Sequence, residues 1–201
     1  MTTLNPAPAT RSPTPPRRMT VAEYEDLIES GVIDERAPVE LIEGRIVGKM
    51  TKGNRHCVAA AQVQHILSGA LFRADLPWFV WTEKPIALPD RKSMPEPDVA
   101  LVRGRPADFM TAKPGPASVG LVVEIADSSL ADDRRRMELY LAGGVPECWL
   151  LNLVQHRLEV HRSEAAPVLL DEGDTVELVL DARFITRIPV ADLLPGRLPE
   201  S

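Results

Sequence analysis

Residues 120–126, GLVVEIA, set one carboxylate inside a run that is otherwise apolar. A run of that kind reads as a strand covered on both faces, which places it in the interior of a sheet flanked by other elements. Glu124 then constrains everything else. An ionised carboxylate buried alone costs several kcal/mol. The fold must therefore bring it a metal ion, an arginine or lysine, or the exposure of a strand end.

Two more acids stand on or beside β-prone runs. Asp98 opens DVALV behind Pro97, within SMPEPDVALV, and Glu40 lies inside VELI. Taken singly, each acid has an ordinary structural explanation. Asp98 shapes a turn that enters a strand, with Glu96 a surface acid; Glu40 faces solvent from a hairpin; an arginine of the following helix pairs with Glu124. Were the strands carrying them to lie side by side, their oxygens would converge on one point. A hard divalent cation reconciles converging carboxylates, because Mg²⁺ takes oxygen ligands and keeps waters that can serve as nucleophile.

The rest of the pattern is mixed α/β on one central sheet. Thr20 and Glu23 form a T-x-x-E capping box with Met19 and Tyr24 as a hydrophobic staple, and Val21, Tyr24, Leu27 and Ile28 keep helical spacing until Gly31. Val39–Ile42 and Arg45–Lys49 read as a hairpin about Glu43-Gly44. Asn54 is the expected N-cap of a longer helix with Val58, Ala61, Ile66, Ala70 and Leu71 on its apolar side. WFVWTEKPIAL is β-prone and broken by Pro85, as at a sheet edge. PDVALV is a strand, PADFMTA a helical turn, and LADDRRRMELYLAGG a helix stopped at Gly143-Gly144. PECWLLNL, RLEVHR and VELVL complete the strands, and IPVADLL is a closing helical turn.

Composition narrows the class. The 201 residues are 44% hydrophobic, enough for one domain with a core, expected over 19–201. Residues 1–18, rich in Pro, Thr and Ala without apolar periodicity, are expected to form a disordered tail. That tail lacks the apolar centre of a secretory signal, and no later stretch is long enough to cross a membrane. Cys57 and Cys148 are the only cysteines and form no C-x-x-C, as expected of core or near-core thiols in a reduced cytoplasm. His56, His65, His156 and His161 lack H-x-x-x-H spacing, so a zinc hydrolase is not supported. A formal net charge of −6 argues against nonspecific coating of nucleic acid but leaves room for a local basic groove.

In order, the ELIEGRIV hairpin, His56 before the long helix, PEPDVALV, LVVEIADSS, the helix leading to Tyr140 and GVPECWLLN make a series that resembles the Uma2 restriction-endonuclease family, within the PD-(D/E)xK nuclease superfamily. The resemblance runs from MTVAEYEDL through nearly the whole chain. It implies a restriction-endonuclease-like α/β core: a central mixed sheet flanked by helices, preceded by an N-terminal helix and hairpin. It also implies a metal site of Asp98, Glu124 and Glu40 holding Mg²⁺, with Mn²⁺ able to substitute, and a histidine, His56, nearby. The superfamily's lysine, two residues after the second acid, is replaced here by Ala126. Relatives carry a lysine four residues before the tyrosine of the next helix, where this chain has Arg136.

Arginine can stabilise charge on a phosphate through its planar fork but stays protonated, so it is no general base. Two readings follow. In the first, the chain hydrolyses DNA phosphodiesters, with Asp98, Glu124, Arg136, Glu40 and His56 as the catalytic set. Arg45, Lys49, Lys52, Arg55 and Arg135 are then available for phosphate contacts. In the second, a weak or inactive nuclease fold serves in binding or assembly. Arg134 is read as part of a solvated helix face pairing with Asp132 and Asp133. Double-strand cutting would call for a homodimer.

Overall fold

The computed structural model describes residues 17–128 and 130–196. The tail expected over 1–18 lies outside those residues apart from Arg17 and Arg18. Helix α1 (Val21–Glu29) carries the capping box in both directions: the Glu23 N–H donates to Thr20 Oγ1 at 3.2 Å, and the Thr20 N–H to Glu23 Oε2 at 2.9 Å.

A hairpin of β1 (Val39–Ile42) and β2 (Arg45–Gly48) follows. Its turn residues Glu43 and Gly44 both have positive φ, 48° and 73°, the two-residue geometry whose twist suits antiparallel strands. Glycine is required at 44, because a Cβ there would lie 2.6 Å from the Arg18 Cβ and 2.9 Å from the Met19 backbone. The Gly44 N–H donates to the Lys92 carbonyl and the Met94 N–H to the Leu41 carbonyl, each at 2.7 Å. The hairpin is thus fastened to the chain just ahead of Asp98. Leu41 packs with Val21, Tyr24 and Met94 in a small core, leaving Glu40 to the opposite face of β1.

Helix α2 (Asn54–Ala74) leads into a six-stranded sheet ordered β3 (Trp78–Thr82), β4 (Val99–Arg103), β5 (Val119–Ala126), β6 (Glu147–Asn152), β7 (Arg157–Arg162) and β8 (Val168–Leu170). Neighbours are antiparallel except β5 and β6, which run parallel with helix α3 (Leu130–Ala142) between them in the chain. GLVVEIA is therefore interior, and β3, the strand before Pro85, is an edge. A second pair, β9 (Thr175–Leu180) and β10 (Arg183–Pro189), precedes the short helix α4 (Val190–Leu193).

Alternation along β5 assigns its side chains to two layers. Val123 and Ile125 join Ala59, Val63 and Leu67 of α2 with residues of β9, β10 and α4. Val122 and Ala126 join Met137 and Tyr140 of α3. Glu124 shares the α3 side.

Several local expectations are corrected. The N-cap of α2 is Gly53, with no side-chain cap bond, and Asn54 is already helical. The buried side of α2 is Ala59, Val63, Leu67, Ala70 and Leu71, while Val58 and Ala61 are exposed. The apolar spacing supports two phases over the first turns, and packing on β4 and β5 selects the i, i+4 row. Cys57 is exposed and only Cys148 is buried. β8 has too few residues to show a period, and β10 takes Ile188 and Pro189 from the expected closing turn. Among the described residues no helix is long and apolar enough to cross a membrane.

Candidate active site

The register of β4 on β5, Val99 opposite Val123, brings Asp98 beside Glu124 at the start of β4. Each acid accepts from the backbone of the other's segment. The Ile125 N–H donates to Asp98 Oδ2 at 2.8 Å, and the Asp98 N–H donates to Glu124 Oε2 at 3.3 Å. Helix α3 adds the Tyr140 hydroxyl, which donates to Glu124 Oε1 at 2.6 Å. Both acids are buried, 3% and 7% exposed.

Their environments drive the two carboxyls apart. Burial works to raise Asp98, but His56 and Lys52 outweigh it and hold the group below the ordinary aspartate value. Burial, then the neighbouring Asp98 charge, push Glu124 well above the ordinary glutamate value, against the pull of Arg136 and the Tyr140 bond. Burial and the Glu124 charge push Tyr140 up as well, so it remains a donor. The site thus pairs a carboxylate with a carboxyl that readily keeps its proton, a division of labour set by environment.

The cations lie elsewhere than expected. Arg136 does not contact Glu124: both of its terminal nitrogens donate to Glu40, NH1 at 3.1 Å to Oε2. Glu40, expected as a third metal ligand, has both oxygens engaged in that fork, and Oε2 also accepts the Glu96 N–H at 3.2 Å. Lys52 reaches Asp98 instead, its Nζ 2.6 Å from Oδ1 and 2.9 Å from Glu83 Oε1. His56 Nε2, in the first turns of α2, stands 3.0 Å from the same Asp98 oxygen. Lys49 donates to Glu96 at 2.6 Å, so Glu96 takes part in the site's charge network.

Other basic residues have structural partners. Arg55 lies 3.3 Å from Asp127 and donates to the Leu153 carbonyl at 2.8 Å. Arg135 is exposed and pairs with Asp132 at 3.2 Å. Arg134 does not pair with Asp132 or Asp133. Its Nε and NH2 grip Glu159 of β7 at 2.9 and 2.7 Å, joined by Asn152 Nδ2 at 2.9 Å. Glu159 is fully buried, and Arg134 reaches it from α3.

A cleft of about 680 Å³ opens over the two acids, lined by Glu40, Asp98, Glu124, Lys52, His56 and Arg136 among others. Eight carboxylates and three permanent cations line it. Burial raises one of these acids, Asp133, to about 6 against the pull of Arg136. A phosphate anion would be repelled unless a further cation entered. Asp98 and Glu124 fit that role: hard oxygen donors from adjacent strands, one with its charge disfavoured until a cation arrives. Mg²⁺ is typically held through one or two carboxylates while keeping several waters. Among the described residues no three His, Cys, Asp or Glu groups form a ready-made metal cage. Sequence reasoning gave Lys52 only a peripheral part and missed Tyr140 as a partner of Glu124. The i, i+4 placement of Arg136 and Tyr140 on one face of α3 was the available signal for the latter.

Comparisons with known proteins agree with this architecture. Residues 21–190 match the model of the Uma2 family, described as "Putative restriction endonuclease". Among solved structures the chain is similar to "a putative nuclease belonging to DUF820" from Anabaena variabilis, with a TM-score of 0.69 and 17% identity over 87% of this chain and 97% of that one. At that identity the likeness speaks for the fold: a central mixed sheet flanked by helices, as the sequence predicts. No curated protein matches the chain.

Proposed function

The chain belongs to the Uma2 family, and on that premise we propose that it is a divalent-metal-dependent endonuclease acting on DNA. The observation that carries the reading is the reciprocal pairing of Asp98 and Glu124 at the base of an acidic cleft. Asp98 and Glu124 would hold Mg²⁺ or Mn²⁺. When bound, the ion supplies polarisation of a phosphoryl oxygen and a more acidic water.

The remaining roles belong to the protein's own groups. His56 and the Ile125 N–H keep Asp98 oriented and ionised, and Tyr140 fixes Glu124 from the side of α3. Glu40 holds the Arg136 guanidinium in the cleft lining through both terminal nitrogens. In the hydrolysis, the water oxygen bonds to phosphorus and the P–O bond to one sugar breaks. That sugar oxygen takes up a proton, leaving a phosphomonoester and a hydroxyl.

Engagement of Arg136 by Glu40 favours the second reading, a binding or assembly protein on a nuclease fold, in which Arg136 does not act on phosphate. Plasmid cleavage with Mg²⁺ or Mn²⁺ separates the two. The wild type should nick or linearise DNA, and Asp98→Ala and Glu124→Ala should not. Equal activity in all three would refute the assignment, and an inactive wild type would favour the binding reading.

A further inference from the structure

We infer that Lys52 is this chain's active-site lysine: its ammonium covers Asp98 in the absence of metal and turns onto the reacting phosphate when a divalent cation takes its place. The inference rests on the nuclease reading above and adds a catalytic residue to it.

Three observations lead to Lys52. Strand β5 carries alanine at 126, so no cation leaves the sheet beside Glu124. Arg136 is committed to Glu40 through both terminal nitrogens. Of the two lysines that line the cleft, Lys52 sits on one of the paired acids, its Nζ 2.6 Å from Asp98 Oδ1. The other cleft lysine, Lys49, is held by Glu96.

The atom it occupies matters. Asp98 Oδ2 accepts the Ile125 N–H, whereas Oδ1 meets only side chains, Lys52 and His56, and is the oxygen a cation would take. An ammonium at 2.6 Å and a divalent ion cannot share that oxygen without strong repulsion. Lys52 is also free to leave. Residues 49–53 have no helix or strand, and its second partner, Glu83, is 60% exposed and offers a weak hold. A displaced ammonium on a four-carbon stem stays within the cleft. There it meets the oxygens on which negative charge develops during phosphoryl transfer.

The test uses the full chain with Lys52→Met, Lys52→Gln and Lys52→Arg, and Lys113→Met as a control outside the cleft. In calorimetric titration with Mn²⁺ alone, both neutral variants should bind about tenfold or more tightly than wild type, because a charge-assisted competitor for Oδ1 is gone. The Lys113 variant should be unchanged. In plasmid cleavage at saturating Mn²⁺, the neutral variants should lose about 10²-fold in kcat with KM little altered, and Lys52→Arg should recover part of it. Unchanged or weaker Mn²⁺ binding in both neutral variants overturns the inference. So does a raised KM at full kcat, the mark of a peripheral DNA contact. A wild type that binds Mn²⁺ but leaves DNA intact overturns the nuclease reading instead, while the affinity comparison still decides the exchange at Asp98.

Discussion

Replacing Glu124 with glutamine separates the strain this acid places on the fold from its part at the site. The amide keeps the shape and an oxygen for the Tyr140 hydroxyl and removes the charge beside Asp98, while its NH2 gives up the long 3.3 Å bond from the Asp98 N–H. Neutralising a strained functional group typically returns about 0.5–2 kcal/mol. In a chain of this length about 1 kcal/mol moves Tm by about 2–4 °C, so the metal-free variant should melt about 1–8 °C above wild type near neutral pH. The sign follows from the raised carboxyl. A group whose pKa is higher in the folded state adds stability that is full below its unfolded value and is lost as pH rises through the folded value. The gap between variant and wild type should therefore widen as pH rises and close toward the ordinary glutamate range. Metal should reverse the ranking. Mn²⁺ at about 100 times its Kd stabilises a binding protein by about 2.7 kcal/mol, or about 5–11 °C here, and Glu124→Gln should lose most of that shift. Thermal melts by circular dichroism, with chelator and with Mn²⁺ over a pH series, read both effects. A variant that melts below wild type without metal, or that keeps the full Mn²⁺ shift, would refute the reasoning.

Tyr140→Phe removes the 2.6 Å bond to Glu124, so it should lower stability by about 1–2 kcal/mol and weaken Mn²⁺ binding more at acidic than at alkaline pH, as calorimetry would show. Gly44→Ala forces a side chain into a positive φ and against Arg18 and Met19, and should cost about 1–3 kcal/mol in urea unfolding. Arg134→Ala leaves Glu159 with Asn152 as its remaining strong donor. Because Arg134 is nearly half exposed, screening keeps the loss to about 1–2 kcal/mol. Burial opposes but Arg134 and Asn152 hold Glu159 below its ordinary value, so wild-type stability from this pair is present at neutral pH and fades as pH falls. The Arg134 variant should show a flatter acid limb.

Much of the fold was legible because it rests on local pattern. The capping box at Thr20, the Glu43-Gly44 turn and the apolar run of β5 each carry their structure in adjacent residues. The acid pair was legible for a different reason: Glu124 is out of place on a buried strand, and a misplaced charge implies a partner. What could not be read is which cation meets which acid. Arg136 and Glu40 are 96 residues apart, Lys52 and Asp98 are 46 apart, and Arg134 and Glu159 are 25 apart. Each choice is made by packing of α2 and α3 on the sheet, and a run of three arginines offers no local clue to which one faces inward. The same limit explains α2, whose apolar residues support two phases until the sheet selects one.

The absence of a lysine on β5 has a packing cause. Residue 126 lies two positions beyond Glu124 and so on the same face, where Ala126 is fully buried with Met137 and Tyr140. A lysine stem there would have to displace those two α3 side chains, and overpacking of a filled layer is destabilising. Tyr140 cannot yield without releasing Glu124, because its hydroxyl is that acid's donor. With the sheet face closed by α3, positive charge can reach the acids only from the open end of the strands. The elements at that end are the segment leading into α2 and its first turns, which deliver Lys52 and His56, and the face of α3 that also carries Tyr140, which delivers Arg136 to Glu40. Alanine at 126 thus goes together with a tyrosine that donates to the second acid and a lysine that approaches from a loop.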